Sequence, residues 1–325
     1  MIQVGIVGSG GYVAGELIRC LLHHPNVQID FAFSHSQAGK AVSEIHEDLY
    51  TFPELRFSGR LNPHVDVLFL CLGHGNSCKF LSENTFSEQT VIIDLSNDFR
   101  LEEDALFQDK AFVYGLVEAR KAGIKDAMAI ANPGCFATAI QLGILPLAQA
   151  GLLQTDVHVH ALTGSTGAGQ SLTKTSHFSW RNNNVSVYKA FRHQHLGEIE
   201  ETVRSYQKGF RNRINFLPIR GDFARGIFAT IYTQSDLSEQ ELRHLYQDFY
   251  KDAPFTFVTD KTVNIKQVVN TNNCLLQVQK IDDKVLITSA IDNLLKGAAG
   301  QAIQNMNLIL GLKETTGLHF KASYF

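Results

Sequence analysis

Apolar positions follow one pattern in the first part of the chain and another in the second. Near the N-terminus, IQVGIV (2–7) runs into glycines, and Val13, Leu17, Leu21 and Leu22 then recur at helical spacing. Val27 to Phe33 is the next strand-like stretch. VDVLFLCL (65–72), TVIIDL (90–95) and AMAIA (127–131) are continuous apolar runs, as strands buried on both faces require. Strands alternating with helices predict a Rossmann-type α/β domain with a parallel sheet.

Beyond about residue 155 the helices thin out. DVHVHAL (156–162), RINF (213–216), RGIFATIYTQ (225–234), CLLQVQK (274–280) and KVLITSA (284–290) predict a second, α+β domain on a mostly antiparallel sheet. The stretch 293–312 returns to helical spacing through Leu294, Leu295, Ala298, Ile303, Met306, Ile309 and Leu310. The boundary near Cys135 rests on this change of pattern alone.

Composition narrows the function classes. The 325 residues carry a formal net charge of −3, with 44% hydrophobic and 19% charged residues, as in a globular protein large enough for two domains. No basic stripe argues for nucleic acid, and no apolar run reaches the ~18 residues of a membrane span. The start MIQVGIVGSGG has neither a basic leader nor a small-residue cleavage site, so a cytoplasmic protein is expected. The five cysteines are odd in number and scattered, which predicts separate thiols and no zinc cluster.

The first turn, GIVGSGGYVAGEL, is rich in glycine. Gly8 permits a tight turn out of the strand, and Gly11 lets backbone N–H groups approach a pyrophosphate at the helix N-terminus. Gly8, Ser9, Gly10, Gly11, Tyr12 and Val13 are the candidate cofactor contacts; a plain strand–helix turn is the alternative. An NAD site usually ends its second strand with an acidic residue for the ribose 2′-OH. Here Asp30 lies mid-strand, and the end carries Ser34, His35, Ser36 and then Lys40, which suits the 2′-phosphate of NADP(H). The alternative is a polar loop that touches nothing.

Cys135 follows Asn-Pro-Gly and opens a helical pattern. A helix N-terminus favours the thiolate, the nucleophilic form of cysteine. A buried structural cysteine is the competing reading, and Cys20, Cys71 and Cys274 read that way. A partner is offered by YKAFRHQHLGEIEE (188–201), where His193 and His195 precede a helix that carries Glu198. If the segment entering that helix is extended, the two rings face one side. Acid–base work suits the pair better than metal binding, for which no third ligand is evident; two surface histidines are the alternative.

These segments resemble the N-acetyl-gamma-glutamyl-phosphate reductase family, relatives of aspartate-semialdehyde dehydrogenase. GSGGYVAGEL, SHSQAGK, VIIDLSNDFRL (91–101), VYGLVE (113–118), NPGCFAT (132–138), TGSTGAG (163–169), HQHLGEIE (193–200), RGIFATIY (225–232) and IDNLLKGAAGQAIQNMN (291–307) look like family blocks in family order. The resemblance implies NADP-dependent reductive dephosphorylation of an N-acyl-γ-glutamyl phosphate to the semialdehyde, a step of arginine biosynthesis. It implies Cys135 as nucleophile, His193 as acid/base with His195 the alternative, and Asn132 as oxyanion support. Arg100, Tyr188 and Glu198 are implied at the substrate, and Asn293 and Lys296 at the cofactor. The implied domains are 1–134, completed by the C-terminal helix 297–325, and 135–296. Acyl phosphate and inorganic phosphate are the implied small-molecule partners, and a homo-oligomer, dimer or tetramer, is the implied assembly.

The chain departs from the family pattern at several points. Gln194 replaces the arginine of the usual His-Arg-His, with Arg192 a candidate substitute; Ile219 stands at a usual histidine, and glycines stand at 73 and 197 where prolines are common. These bear on the acyl group more than on the chemistry. Aspartate-semialdehyde dehydrogenase, or reduction of another acyl phosphate such as an N-succinyl-glutamyl or a carrier-bound aminoadipyl one, is the alternative within the chemistry. A Cys–His hydrolase and a non-catalytic NADP-binding regulator are the alternatives outside it.

Overall fold

The computed structural model describes residues 1–325. The chain divides into unit 1, Met1–Pro133 with Ala298–His319, and unit 2, Gly134–Gly297 with Phe320–Phe325.

In unit 1 the apolar runs form β1 (Ile2–Val7), β2 (Val27–Phe33), β3 (Phe57–Ser58), β4 (Val67–Leu70) and β5 (Val91–Asp94). A small hairpin, β6 (Leu106–Phe107) and β7 (Lys110–Ala111), precedes β8 (Val113–Tyr114) and β9 (Ala129–Ala131). The sheet order is β3-β2-β1-β4-β5-β9-β8, and every pairing is parallel. Every residue of β4, β5 and β9 is buried, which explains their unbroken apolar character. The helices of this part are α1 (Tyr12–Leu22), α2 (Asn76–Glu83) and α3 (Val117–Lys125). Helix α1 buries Ala14, Leu17, Ile18, Cys20 and Leu21, so the buried face shares Leu17 and Leu21 with the expected one, while Val13 and Leu22 are half-buried.

Unit 2 opens with α4 (Cys135–Gln149), buried from Phe136 to Ala148. Such a helix is apolar on all sides because it has no solvent face. Pro146 has no N–H to bond the carbonyl of Leu142, and the Tyr250 hydroxyl donates to that carbonyl instead at 2.5 Å. The other elements are β10 (Val157–Thr163), α5 (Phe178–Arg181), β11 (Ser186–Val187), α6 (His195–Tyr206), β12 (Ile214–Arg220), β13 (Ile227–Gln234), α7 (Glu239–Tyr250), β14 (Thr256–Thr259), β15 (Cys274–Ile281) and β16 (Lys284–Ile291). They form a sheet ordered β11-β12-β10-β13-β16-β15-β14, in which only the β10–β12 and β14–β15 pairs are parallel. Burial alternates along β10, β12 and β13, so one face of the sheet packs inward and the other is open.

Two details differ from the pattern. Strand β12 continues through Pro218 to Arg220, because β11 pairs only with Ile219 and Arg220 and asks no N–H of the proline. The helical stretch expected over 293–312 is a π-helical turn, Leu295–Ala299, followed by α8 (Gly300–Ile309) in unit 1. The last six residues, Phe320–Phe325, belong to unit 2, not to the N-terminal domain with the rest of 297–325.

Candidate active site

In unit 1 the glycine turn is shaped for an anion. Gly8 has φ +76°, and a Cβ there would meet the Cys71 carbonyl oxygen at 2.6 Å, so only glycine fits. At Gly10 and Gly11 an added Cβ would meet nothing within 4 Å. Gly11 caps α1 without a side-chain bond, and the first turn holds no acidic residue. The space and the positive helix end fit a dinucleotide pyrophosphate. Tyr12 is exposed and Val13 half-buried at this end. Ser9 is different: it is fully buried, and its hydroxyl donates to the Phe33 carbonyl at 2.9 Å. It pins the turn to β2 and presents no side chain to a ligand. His46, which the sequence did not single out, accompanies it. Its Nε2 lies 2.8 Å from the Ser9 carbonyl, and its ring lies where a Cβ on Gly15 would be.

Ser34, His35 and Ser36 follow β2 directly, with His35 and Ser36 exposed. The loop after them folds back on β3. Gly39 donates to the Phe57 carbonyl at 2.8 Å, and Arg56 Nη1 donates to the Gly39 carbonyl at 3.0 Å. Arg56 and Lys40 therefore bring positive charge to the loop, while Asp30 is exposed and accepts from Asn62. Arg56 was missed because it lies 20 residues beyond Ser36 and joins the loop only through strand pairing.

Two implied residues in unit 1 are occupied. Asn132 Nδ2 donates to the Ala298 carbonyl at 3.1 Å, and its Oδ1 accepts from Asn305 at 3.2 Å. Both polar atoms bond inside unit 1, so Asn132 braces the backbone there. Arg100 is buried, with Nε donating to the Asn132 carbonyl at 2.8 Å and Nη2 to the Leu95 carbonyl at 3.2 Å. Part of its fork thus braces the backbone of unit 1.

In unit 2, Cys135 is the first residue of α4, capped by Gly134, and is half-buried. Cys71 and Cys78 are half-buried as well, but burial and then nearby carboxylates push both thiols up: Asp94 for Cys71, and Asp98, Asp94 and Asp104 for Cys78. Cys20 and Cys274 are buried.

The histidines pack beside the cysteine's helix. His193 and His195 are buried, with ring centroids 4.5 Å apart and both edge-on to Phe136, the residue after Cys135. The segment between them is not extended. Gln194 has helical angles, and the closeness comes from a turn in which the His195 N–H donates to His193 Nδ1 at 3.2 Å. That bond leaves the proton of the neutral His193 ring on Nε2. His195 lies flat against Gly134, where an added Cβ would come within 2.3 Å of its Nε2. Glu198 is buried; its Oε2 accepts the Gly134 N–H at 3.0 Å, and its Oε1 lies 4.0 Å from His195 Nε2. It therefore holds the turn before Cys135.

Tyr188 lies with its ring 5.8 Å from that of His193. Burial and then the charge of Cys135 push its phenol up, so it stays protonated as a donor. Lys189 and Phe191, between Tyr188 and His193, have φ of +44° and +59°. Such strain clusters at functional sites. Gln194, at the family arginine position, is exposed and accepts from Lys189 Nζ at 2.9 Å, and Arg192 is exposed. Lys296 is fully buried within the π-helical turn, and a Cβ on its neighbour Gly297 would lie 2.7 Å from Cys135 Cβ. Asn293 is used internally: its Oδ1 accepts from Gly226 N–H at 2.6 Å, and its Nδ2 donates to Thr166 at 3.0 Å. It ties the TGSTGAG loop to the start of β13. No cluster of three or more His, Cys, Asp or Glu is arranged to hold a metal ion.

The comparisons agree with one another. Residues 3–127 match the semialdehyde dehydrogenase NAD binding domain, and residues 135–293 match the semialdehyde dehydrogenase dimerisation domain. The chain is 60% identical to the N-acetyl-gamma-glutamyl-phosphate reductase of Flavobacterium johnsoniae and 57% identical to that of Christiangramia forsetii, over the whole of each chain. In fold it is similar to aspartate semialdehyde dehydrogenase II of Vibrio cholerae, solved in complex with ASA, at a TM-score of 0.72 and 15% identity, covering 96% of this chain and 98% of that one. By its full-length identity to these reductases, the chain belongs to the N-acetyl-gamma-glutamyl-phosphate reductase family.

Proposed function

We propose that this protein is an oxidoreductase that converts an N-acyl-γ-glutamyl phosphate to the N-acyl-glutamate semialdehyde with NADPH, releasing inorganic phosphate, as a step of arginine biosynthesis. The observation that carries this reading is the grouping of Cys135, Tyr188, His193 and His195 at the entrance of α4, in a chain of this family. The N-terminal turn and the Ser34–Lys40 loop hold the cofactor, which supplies the hydride when bound.

In this reading the Cys135 thiolate attacks the acyl carbonyl and phosphate leaves, giving a thioester on the enzyme. After reduction the carbon bears an oxyanion. His193 Nε2–H donates a proton to that oxygen and takes it back as the carbonyl re-forms and the thiolate departs. Tyr188, kept protonated, donates a hydrogen bond in the same region. Glu198 and His195 position the Gly134 turn from which Cys135 projects. Arg100 is the residue assigned to the phosphate, by the bidentate match of guanidinium and phosphate.

The dimerisation-domain match and the open face of the unit 2 sheet support a homo-oligomer built on that face. Five free cysteines support a reducing, cytoplasmic setting, and no helix is long and apolar enough to cross a membrane.

The test is phosphate-dependent reduction of NADP with N-acetylglutamate semialdehyde, with aspartate semialdehyde as the competitor. Preference for the N-acylated aldehyde is expected; turnover of aspartate semialdehyde alone would replace this reading with the aspartate-semialdehyde dehydrogenase one.

A further inference from the structure

Two arginines lie beside Tyr188. Arg181 is the last residue of α5, and its Nε and Nη2 are buried with no hydrogen-bond partner. Arg220 is the last residue of β12, and its guanidinium carbon lies 4.0 Å from the Tyr188 ring centroid. Ser186 pairs directly with Arg220 across β11 and β12, which puts both side chains on one face, and the Ser186 hydroxyl is also buried without a partner. The three donors therefore gather around Tyr188, itself within electrostatic reach of Cys135.

Elementary energetics makes this arrangement unstable without an anion. Burial and then the charge of Arg220 both work against the Arg181 cation. Asp222, whose charge favours the Arg181 cation, is exposed and spends Oδ2 on the Asn183 N–H at 2.8 Å. Buried donors without acceptors are costly, and two guanidinium forks of like charge match one carboxylate well. Reduction at the γ-carbonyl leaves the rest of an N-acyl-glutamyl substrate carrying at least one carboxylate.

We propose that Arg181 and Arg220, with the Ser186 hydroxyl, form a subsite that binds a carboxylate of the acyl-glutamyl substrate and sets specificity for it. The subsite rests on the function proposed above. It also gives meaning to one departure from the family pattern: beside Ile219, at the position where a histidine is usual, the chain places a cation at Arg220. The carboxylate has two sources, the α-carboxylate of the glutamyl part or a second carboxylate on a dicarboxylic N-acyl group.

The experiment compares phosphate-dependent NADP reduction with three aldehydes: N-acetylglutamate semialdehyde, its α-carboxamide, and N-succinylglutamate semialdehyde. Wild type and the Arg181→Gln, Arg220→Gln and Arg220→Lys variants are assayed, and the result is read as ratios of kcat/KM within each variant. Ratios are unaffected by the fraction of enzyme that folds. Loss of a charged hydrogen bond predicts that either Gln variant lowers one ratio roughly ten- to 100-fold, mainly through KM, with partial recovery in Arg220→Lys. A fall in the acid-to-amide ratio identifies the α-carboxylate, and a fall in the succinyl-to-acetyl ratio identifies the acyl carboxylate. Ratios unchanged from an active wild type would overturn the subsite alone. A wild type idle on all three aldehydes would overturn the acyl-glutamyl reading and the subsite with it.

Discussion

Glu198 accepts the backbone N–H of Gly134 at 3.0 Å, so a residue in the first turn of α6 fixes the turn that presents the thiol of α4. Glu198→Gln keeps an acceptor there, whereas Glu198→Ala leaves a buried N–H unpaired. The Ala variant should lose about 1–3 kcal/mol of unfolding free energy. The Gln variant should keep most of it, as urea denaturation will show. Equal losses in the two variants would mean that the bond does not hold the turn.

The same turn constrains Gly134 itself. A methyl group there would lie 2.3 Å from His195 Nε2. Gly134→Ala must displace the ring or the turn, and kcat should fall by at least ~10²-fold, since small misplacements of reacting groups cost that much. NADP binding, measured by fluorescence titration, should not change. A variant with normal kcat would show that His195 need not pack against this turn.

Replacing the thiol is the direct test of covalent chemistry. Cys135→Ser should abolish turnover and leave NADP affinity intact, because a hydroxyl is a far weaker nucleophile at neutral pH. Turnover within tenfold of wild type would rule out the thioester.

For the cofactor, NADP should be preferred to NAD in kcat/KM. Arg56→Ala should narrow the preference by up to about fivefold, the scale of an exposed charge pair. A preference that is absent in wild type, or unmoved in the variant, would take the 2′-phosphate away from this loop.

What could be read from the sequence depended on how local the information was. The parallel strands are legible in VDVLFLCL and TVIIDL because strands buried on both faces need no alternation. The Cys135 helix entrance is legible because the glycine and the apolar run are contiguous. Helix α7 went unread although Ser238 and Glu241 form a capping box at its start and Leu242, Tyr246 and Tyr250 recur at helical spacing. Contacts made by distant residues leave no such trace. The pairing of Arg220 with Ser186, the bond of His46 to Ser9 and the use of Asn132 and Asn293 as internal braces join segments far apart in the chain. A buried polar residue reads alike from sequence whether it faces a ligand or the backbone.

Stability should also depend on pH through Asp94. Burial raises its pKa from 3.8 to about 6, against hydrogen bonds from Ser77 at 2.5 Å and Ser96 at 2.7 Å and the charge of Arg100. A raised carboxyl pKa means that the stability from the protonated form is complete below 3.8 and is lost as pH rises through about 6. Asp94→Asn cannot ionise. The difference in unfolding free energy, variant minus wild type, should therefore grow by up to about 3 kcal/mol between about pH 4 and 7. A difference that stays flat across that window would mean that Asp94 is not so shifted.

The two histidines divide the remaining chemistry. His193 has Nδ1 occupied by the His195 N–H, so its Nε2–H is the proton it can give. His195 lies flat on Gly134 with Nε2 4.0 Å from Glu198, a setting that packs and orients the turn. An imidazole with an ordinary pKa near ~6.5 can exchange a proton at neutral pH, and such a group contributes typically ~10²–10⁴-fold. His193→Asn should therefore lower kcat by at least ~10² and remove one limb of the pH–rate profile. Asn at 193 can still accept the His195 N–H through its side-chain oxygen, so the loss reports the proton and not the fold. His195→Asn should cost less and keep both limbs, because Glu198 still holds the Gly134 N–H. If the larger loss and the missing limb belong to His195→Asn, the acid/base is His195 and the tautomer argument for His193 fails. If both variants keep both limbs, the proton comes from elsewhere, and Tyr188, the protonated phenol 5.8 Å from the His193 ring, is the next group to test.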